Sequence, residues 1–224
     1  MLRHFDEELK ELKSRLLVMA AMVEQTIAQS IEALKKRNKK MAEGVYGVDK
    51  KIDNLEIEIE ERCIDLIALR QPVGSDLRFL IGAIKINNDL ERMGDHAVNI
   101  ADSVLVLADK PHIKPLIDIP RMARLAIAML KDSLGSFVDG AVAQARGVCR
   151  RDDEVDRLAD QVFRELLSFM LEKPKVITPA TQLILVSRNL ERIADLSTNI
   201  CEDVIYINEA KVIKHHAEDR GTAK

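Results

Sequence analysis

The segment Leu90-Glu91-Arg92-Met93-Gly94-Asp95 returns one hundred residues later as Leu190-Glu191-Arg192-Ile193-Ala194-Asp195. The match runs on: Asn99 and Ile100 recur as Asn199 and Ile200, and Asp102 is answered by Glu202. A recurrence at a fixed offset marks an internal duplication, two copies of one supersecondary unit. The repeated element is also acidic in an ordered way. Glu91 and Asp95 stand four apart, which puts both carboxylates on one side of a helix, one turn above the other. Like charges so placed repel by about 0.2–0.5 kcal/mol, and the chain makes the arrangement twice in register.

Outward from that segment, apolar residues recur at three- and four-residue steps. Leu9, Leu12, Leu16, Met19, Val23, Ile27, Ile31 and Leu34 give a long first helix that ends near the basic, glycine-containing stretch 35–47. Val48, Ile52, Leu55, Ile59, Cys63 and Leu66 give a second, stopped by Arg70-Gln71-Pro72 and Gly74. Ser75 is the expected N-cap of a third, which reaches about Ala108. A proline-bearing stretch, Pro111 to Pro120, separates the halves. Asp118 and Pro120 then open a fourth helix, whose later turns Gly135, Gly140 and Gly147 weaken. Val155 to Phe169 mark a fifth, Pro174 and Pro179 bracket a loop, and Leu183 to Val204 mark a sixth. No stretch alternates with period two for long enough to make a strand. The expected fold is all-α: two tandem, homologous three-helix bundles over residues 1–110 and 111–215, with a polar tail over 216–224.

Composition agrees. The 224 residues are 47% hydrophobic and 32% charged but only 3% aromatic, with no Trp. Abundant Leu, Ala, Glu, Lys and Arg favour helices. A formal charge of −3 and the lack of aromatic platforms give no pull toward nucleic acid. The first ten residues carry Asp6, Glu7 and Glu8, unlike a signal peptide. The longest apolar run, Leu16 to Val23, is far short of the ~20 residues that span a bilayer. A cytoplasmic protein without membrane insertion is expected. Cys63, Cys149 and Cys201 lack metal-type spacing and read as separate thiols in a reducing compartment, with no disulfide or metal role.

The second helix of each half carries its own acids at spacing four, Asp49 with Asp53 and Asp152 with Asp156. Any one such pair is explained by a solvated helix face; the register is harder to explain that way. Helices joined by a short turn run antiparallel, so residues equidistant from the turn lie level. Asp53 and Glu91 are each nineteen residues from Pro72, and Asp49 and Asp95 each twenty-three. Asp156 with Glu191, and Asp152 with Asp195, share a midpoint between Lys173 and Pro174. Four carboxylates thus meet at one level of each bundle. Asp49, Asp53, Glu91 and Asp95 are the candidate metal ligands of the first half, and Asp152, Asp156, Glu191 and Asp195 those of the second. Asn99 and Asn199 are candidate outer contributors. An all-oxygen set selects hard cations such as Mg²⁺, Mn²⁺, Ca²⁺ or ferric iron over Zn²⁺. The bland alternative is a salt-bridged face, with Arg92, Arg157 and Arg192 as counter-charges. His96 has Leu196 as its counterpart and reads as a surface or outer residue.

Helical carboxylate enzymes commonly pair Glu-x-x-His motifs on facing helices, and none occurs here. Nor is there a glycine-rich phosphate loop or a G-x-S-x-G elbow. The Glu-x-x-x-Asp and Asp-x-x-x-Asp signatures in both halves, Arg70-Gln71-Pro72 and the terminal His215-His216-Ala217-Glu218-Asp219 together resemble the PhoU family, over essentially the whole chain. That resemblance implies a non-enzymatic, cytoplasmic negative regulator of phosphate uptake and phosphate-starvation signalling, important for phosphate homeostasis. It implies docking to the ATPase of the phosphate ABC transporter and to the phosphate-sensing histidine kinase. It also implies multinuclear metal clusters, iron in some members, at the acidic motifs, and a homodimer. A carboxylate-bridged metalloenzyme and a purely structural helical scaffold are the alternatives.

Overall fold

A computed structural model describes residues 2–213. Seven α-helices follow in order: α1 (Leu2–Lys36), α2 (Lys39–Arg70), α3 (Gly74–Leu107), α4 (Asp118–Asp139), α5 (Val142–Cys149), α6 (Asp152–Glu172) and α7 (Ile177–Glu209). A 3-10 turn, Pro174–Val176, joins α6 to α7. Among the described residues there is no strand. The architecture is the expected all-α tandem of three-helix units, α1–α3 and α4–α7, on either side of the 108–117 connection. In the second unit the middle helix is broken into α5 and α6. The tail at 216–224 and His215-His216 lie outside the described residues.

The core forms because each helix presents an apolar stripe at helical spacing. Leu12, Leu16, Met19, Val23 and Ile27 of α1 are fully buried, as are Ile52, Ile59 and Leu66 of α2 and Leu80, Ile86, Leu90 and Met93 of α3. Leu183, Leu190, Ile193 and Ile200 of α7 repeat the α3 pattern. Burying each such side chain contributes about 1.5–3 kcal/mol. The two units share one continuous core, because α3 packs along α7 at the centre of the molecule. Polar ties reinforce that seam. Lys85 of α3 pairs with Asp203 of α7 at 2.9 Å, and His96 Nδ1–H donates to Asn189 Oδ1 at 2.9 Å.

Three helix ends differ from the sequence reading. The chain turns well before Val48: Arg37 adopts a left-handed φ of 52°, and Asn38 caps α2 by accepting from the Met41 N–H at 3.0 Å. Gly44 and Gly47 therefore lie inside α2. At Gly44 a Cβ would stand 2.9 Å from the Gln29 side-chain nitrogen, which donates to the Met41 carbonyl. A side chain there would have to displace that flexible amide from its bond. At the other end, Ser75 is no cap; the cap position falls two residues earlier at Val73, and α3 opens at Gly74, whose φ of +60° an L side chain rarely adopts. Finally, Pro179 lies in the first turn of α7, where no N–H is needed, so the expected loop shrinks to one 3-10 turn.

Candidate metal centre

Helices α2 and α3 pack against one another, with the chain reversing at Gln71–Val73, and α6 packs likewise on α7. The predicted registers follow from that. In the first half, Asp49 and Asp53 of α2 face the Glu91–Asp95 turn of α3. Asp49 Oδ1 lies 3.2 Å from where a Gly94 Cβ would stand, so the carboxylate reaches into a gap left by the missing side chain. Burial, and then repulsion from Asp53 and Asp95, lifts the Asp49 carboxyl to about 6. Burial, followed by Asp95, Asp53, Glu56 and Asp49, lifts Glu91 to about 7. Each of the four expected residues thus lies within the field of the others.

In the second half the convergence is tighter. Carboxylate oxygens of Asp152, Asp156 and Asp195 lie within 4.8 Å of one another. Asp152 opens α6 and is lifted to about 7, chiefly by burial, then by Asp195 and Asp156. Asp156 is lifted by burial and by Glu191 and Asp195. Glu191 stands near but is engaged on both oxygens by Arg188 Nη1, at 2.9 and 2.7 Å. Arg192 holds Asp195 at 3.0 Å. Of the anticipated counter-charges, Arg192 is therefore placed as expected, while Arg92 lies 3.6 Å from Asp89 instead. Both pairs in the second half are intrahelical and partly exposed, a class worth about 0.3–0.5 kcal/mol.

Two atoms set this seam apart from a solvated face. Asp49 Oδ1 and Asp152 Oδ1, equivalent in the two halves, are buried and have no hydrogen-bond partner. Leaving a buried acceptor unsatisfied costs about 1–3 kcal/mol, more when it is charged. Each aims into a cluster of carboxylates and has no donor of its own, the environment a hard cation would satisfy. The donors are all oxygen, so the residues fit such an ion. Asn99 is exposed and Asn199 half-buried, one turn beyond each cluster.

Two features escaped the sequence reading. Glu56 lies near Glu91 and Asp53, and its own carboxyl is raised by burial, Glu60 and Asp53; Ala159 stands at the matching place of the second half. Cys149, at the end of α5, and the buried Cys201 of α7 are also not electrostatically separate: each shifts the other's thiol, Cys149 downward and Cys201 upward. Their midpoint, residue 175, falls close to the one that levels the carboxylates, and that rule would have paired them too.

A duplicated helical unit with facing acids from its second and third helices defines the class, an all-α repeat protein with an acidic seam in each half. A family model described as "PhoU domain" matches residues 16–104 and 119–204, one stretch in each half. The chain belongs to the PhoU family. It is 43% identical over 216 residues to the phosphate-specific transport system accessory protein PhoU homolog of Aquifex aeolicus (strain VF5), covering 96% of this chain and 98% of that protein. The correspondingly named homolog of Clostridium acetobutylicum is 41% identical over 210 residues, 93% of this chain and 96% of that one. PhoU from Pseudomonas aeruginosa superposes with a TM-score of 0.89 at 32% identity, covering 92% of this chain and 100% of that one. The phosphate transport system regulatory protein PhoU from Streptococcus pneumoniae gives 0.88 at 32% identity, covering 94% and 99%.

Proposed function

We propose that this chain is an accessory regulator of phosphate transport that restrains phosphate uptake and the starvation response when phosphate is plentiful. It acts by docking, without turnover, on the ATPase of the phosphate ABC transporter and on the phosphate-sensing histidine kinase, at the cytoplasmic side of the membrane and as a homodimer. The observation that carries this reading is membership of the PhoU family across both halves, together with full-length relatives named as accessory proteins of phosphate-specific transport. The absence, among the described residues, of a helix long and apolar enough to cross a membrane favours recruitment by a partner over insertion.

Hard cations, iron in particular, are part of the same proposal. Asp49, Asp53, Glu91 and Asp95 would hold one site; Asp152, Asp156, Glu191 and Asp195 would hold the other. The two orphaned Oδ1 atoms support this. A bound cation supplies the positive charge that lets stacked carboxylates ionise together, stiffening the α2–α3 and α6–α7 pairs against which partners dock. The Arg188–Glu191 and Arg192–Asp195 pairs support instead a purely structural scaffold in the second half, with the acids neutralised from within.

Deleting the gene in its host should raise phosphate-starvation gene expression in phosphate-rich medium, and the purified chain should bind the ATPase or the kinase. A response that stays repressed on deletion, with neither partner bound, leaves the scaffold reading in its place.

A further inference from the structure

The turn between α1 and α2 reads Lys35-Lys36-Arg37-Asn38-Lys39-Lys40, five cations and no acid, in a chain whose net charge is −3. Lys35 and Lys36 lie in the last turn of α1, where the helix dipole favours cations. Lys39 and Lys40 open α2, where the same dipole disfavours them, and the first turn of α2 holds no acid to compensate. The second unit builds the equivalent turn, Asp139-Gly140-Ala141, with no cation at all. The fold therefore does not require these lysines.

The 108–117 connection is held against that turn. Arg37 Nη1 donates to the Leu107 carbonyl at 2.7 Å, and Lys39 Nζ pairs with Asp109 at 2.5 Å. Lys35, His112, Ile113, Lys114, Pro115 and Leu116 line one cavity of about 530 Å³. Some of the charge is answered locally: Glu32 accepts from Lys35 and Lys36 at 2.7 and 3.0 Å, and Asp118 and Glu165 hold Lys114. Lys40 and Lys110 are exposed and make no ion pair among the described residues. The same end is also apolar at its surface. Ile117 is 69% exposed and Val106 44%, with Pro111 and Pro115 open to solvent between them.

We propose that this basic end is a peripheral docking surface for anionic phospholipid, where Lys36, Lys39, Lys40 and Lys110 meet headgroup phosphates while Val106 and Ile117 enter the interface. Lysine dominates here, and a lysine ammonium is a compact charge on a flexible stem, whereas arginine suits planar, bidentate recognition. The one arginine is spent on a backbone carbonyl. Lysine is also depleted at protein–protein interfaces, and residues 32–43 and 106–117 hold no Phe, Tyr or Trp to stack on a base. Mobile cations around exposed aliphatic side chains fit a fluid anionic surface. Among the described residues no helix is long and apolar enough to cross a membrane, so the binding is adsorption, driven by attraction that fades beyond a Debye length. Each lysine near such a surface strengthens it about fivefold. The inference needs no cation and no protein partner, so it stands apart from the metal and regulatory readings.

The test is co-sedimentation of the full chain, in chelator and low salt, with vesicles of phosphatidylcholine alone or mixed about two to one with phosphatidylglycerol. The expected result is binding to the mixed vesicles only, lost on raising salt to about 1 M. Lys40→Gln with Lys110→Gln should weaken binding about twenty-five-fold, and Ile117→Ser by a smaller factor, each with an unchanged circular dichroism spectrum. Lys173→Gln with Lys175→Gln, an exposed lysine pair between α6 and α7, should bind as the parent does. No binding to the mixed vesicles, equal binding to both kinds, or equal losses in the two double variants would each overturn the proposal. So would salt-sensitive, Lys40-dependent binding to polyglutamate with none to the mixed vesicles, which would assign this end to an acidic protein.

Discussion

Replacing Asp49 by Asn isolates the electrostatic cost of the first acidic seam. Burial and the neighbouring Asp53 and Asp95 carboxylates hold Asp49 at about 6, against an unfolded value of about 3.9. A carboxyl whose folded value is raised lends stability that is fully present below about pH 4 and lost as pH rises through about 6. A rise of about two units corresponds to about 3 kcal/mol at 1.36 kcal/mol per unit. Asp49 is only partly buried, and solvent screening reduces that to about 1–2 kcal/mol. Asn keeps the shape and cannot ionise. In chelator at about pH 8, Asp49→Asn should therefore raise the melting temperature by roughly 2–8 °C for a chain of this size. At about pH 4.5 roughly two-thirds of that difference should vanish, because folded Asp49 is then mostly protonated while the unfolded carboxyl is still mostly ionised. With saturating Mn²⁺ the sign should reverse, since a ligand oxygen has been lost and native-state binding adds to stability. Thermal melts followed by circular dichroism at the two pH values decide it. A variant that melts lower than the parent at pH 8 without cation, or shifts equally at both pH values, would refute the reasoning.

The duplication makes its own predictions. Leu90→Ala and Leu190→Ala each empty a fully buried site at matching places in the two units and should each cost about 2–5 kcal/mol in urea denaturation. Because α3 and α7 share one core, both should shift a single cooperative transition; two separated transitions would contradict the shared core. Lys85→Met leaves Asp203, whose side chain is 4% exposed, without its ion partner and should destabilise by about 2–4 kcal/mol; adding Asp203→Asn should recover part of that loss, as read by the same denaturation. Metal-free protein should lose stability between about pH 4 and pH 8 as Asp49, Glu91 and Asp152 ionise, and a flat pH profile in chelator would count against the raised carboxyls.

How far the sequence could be read depended on whether the deciding signal was periodic. Leu90, Met93, Ile100 and Val104 recur at helical spacing and return as Leu190, Ile193, Ile200 and Val204, and all eight are buried. The level pairing of Asp49 with Asp95 and of Asp152 with Asp195 followed from antiparallel geometry alone. Helix ends were less legible. Gly44 and Gly47 signal a break by propensity, yet α2 starts upstream of both, at the Asn38 cap and beside the Gln29 bond to the Met41 carbonyl, and runs through them against that local preference. Arg188 is not among the counter-charges the sequence suggests, and only side-chain geometry shows it neutralising Glu191. Cys149 and Cys201 are distant in sequence and composition gave no reason to join them, although the midpoint that levels the carboxylates also brings their positions close. The break between α5 and α6, which places Cys149 at a helix end, has no counterpart in the first half to hint at it.

The central claim is that each half gathers its four carboxylates around a hard cation. Elemental analysis of the chain purified without chelator tests it most directly, on the parent protein and on two variants, Asp49→Asn with Glu91→Gln and Asp152→Asn with Asp195→Asn. The account predicts iron, manganese, magnesium or calcium bound to the parent, with each double variant losing the share of its own half and retaining the other. A parent chain that binds no cation, or variants whose content equals that of the parent, would contradict it.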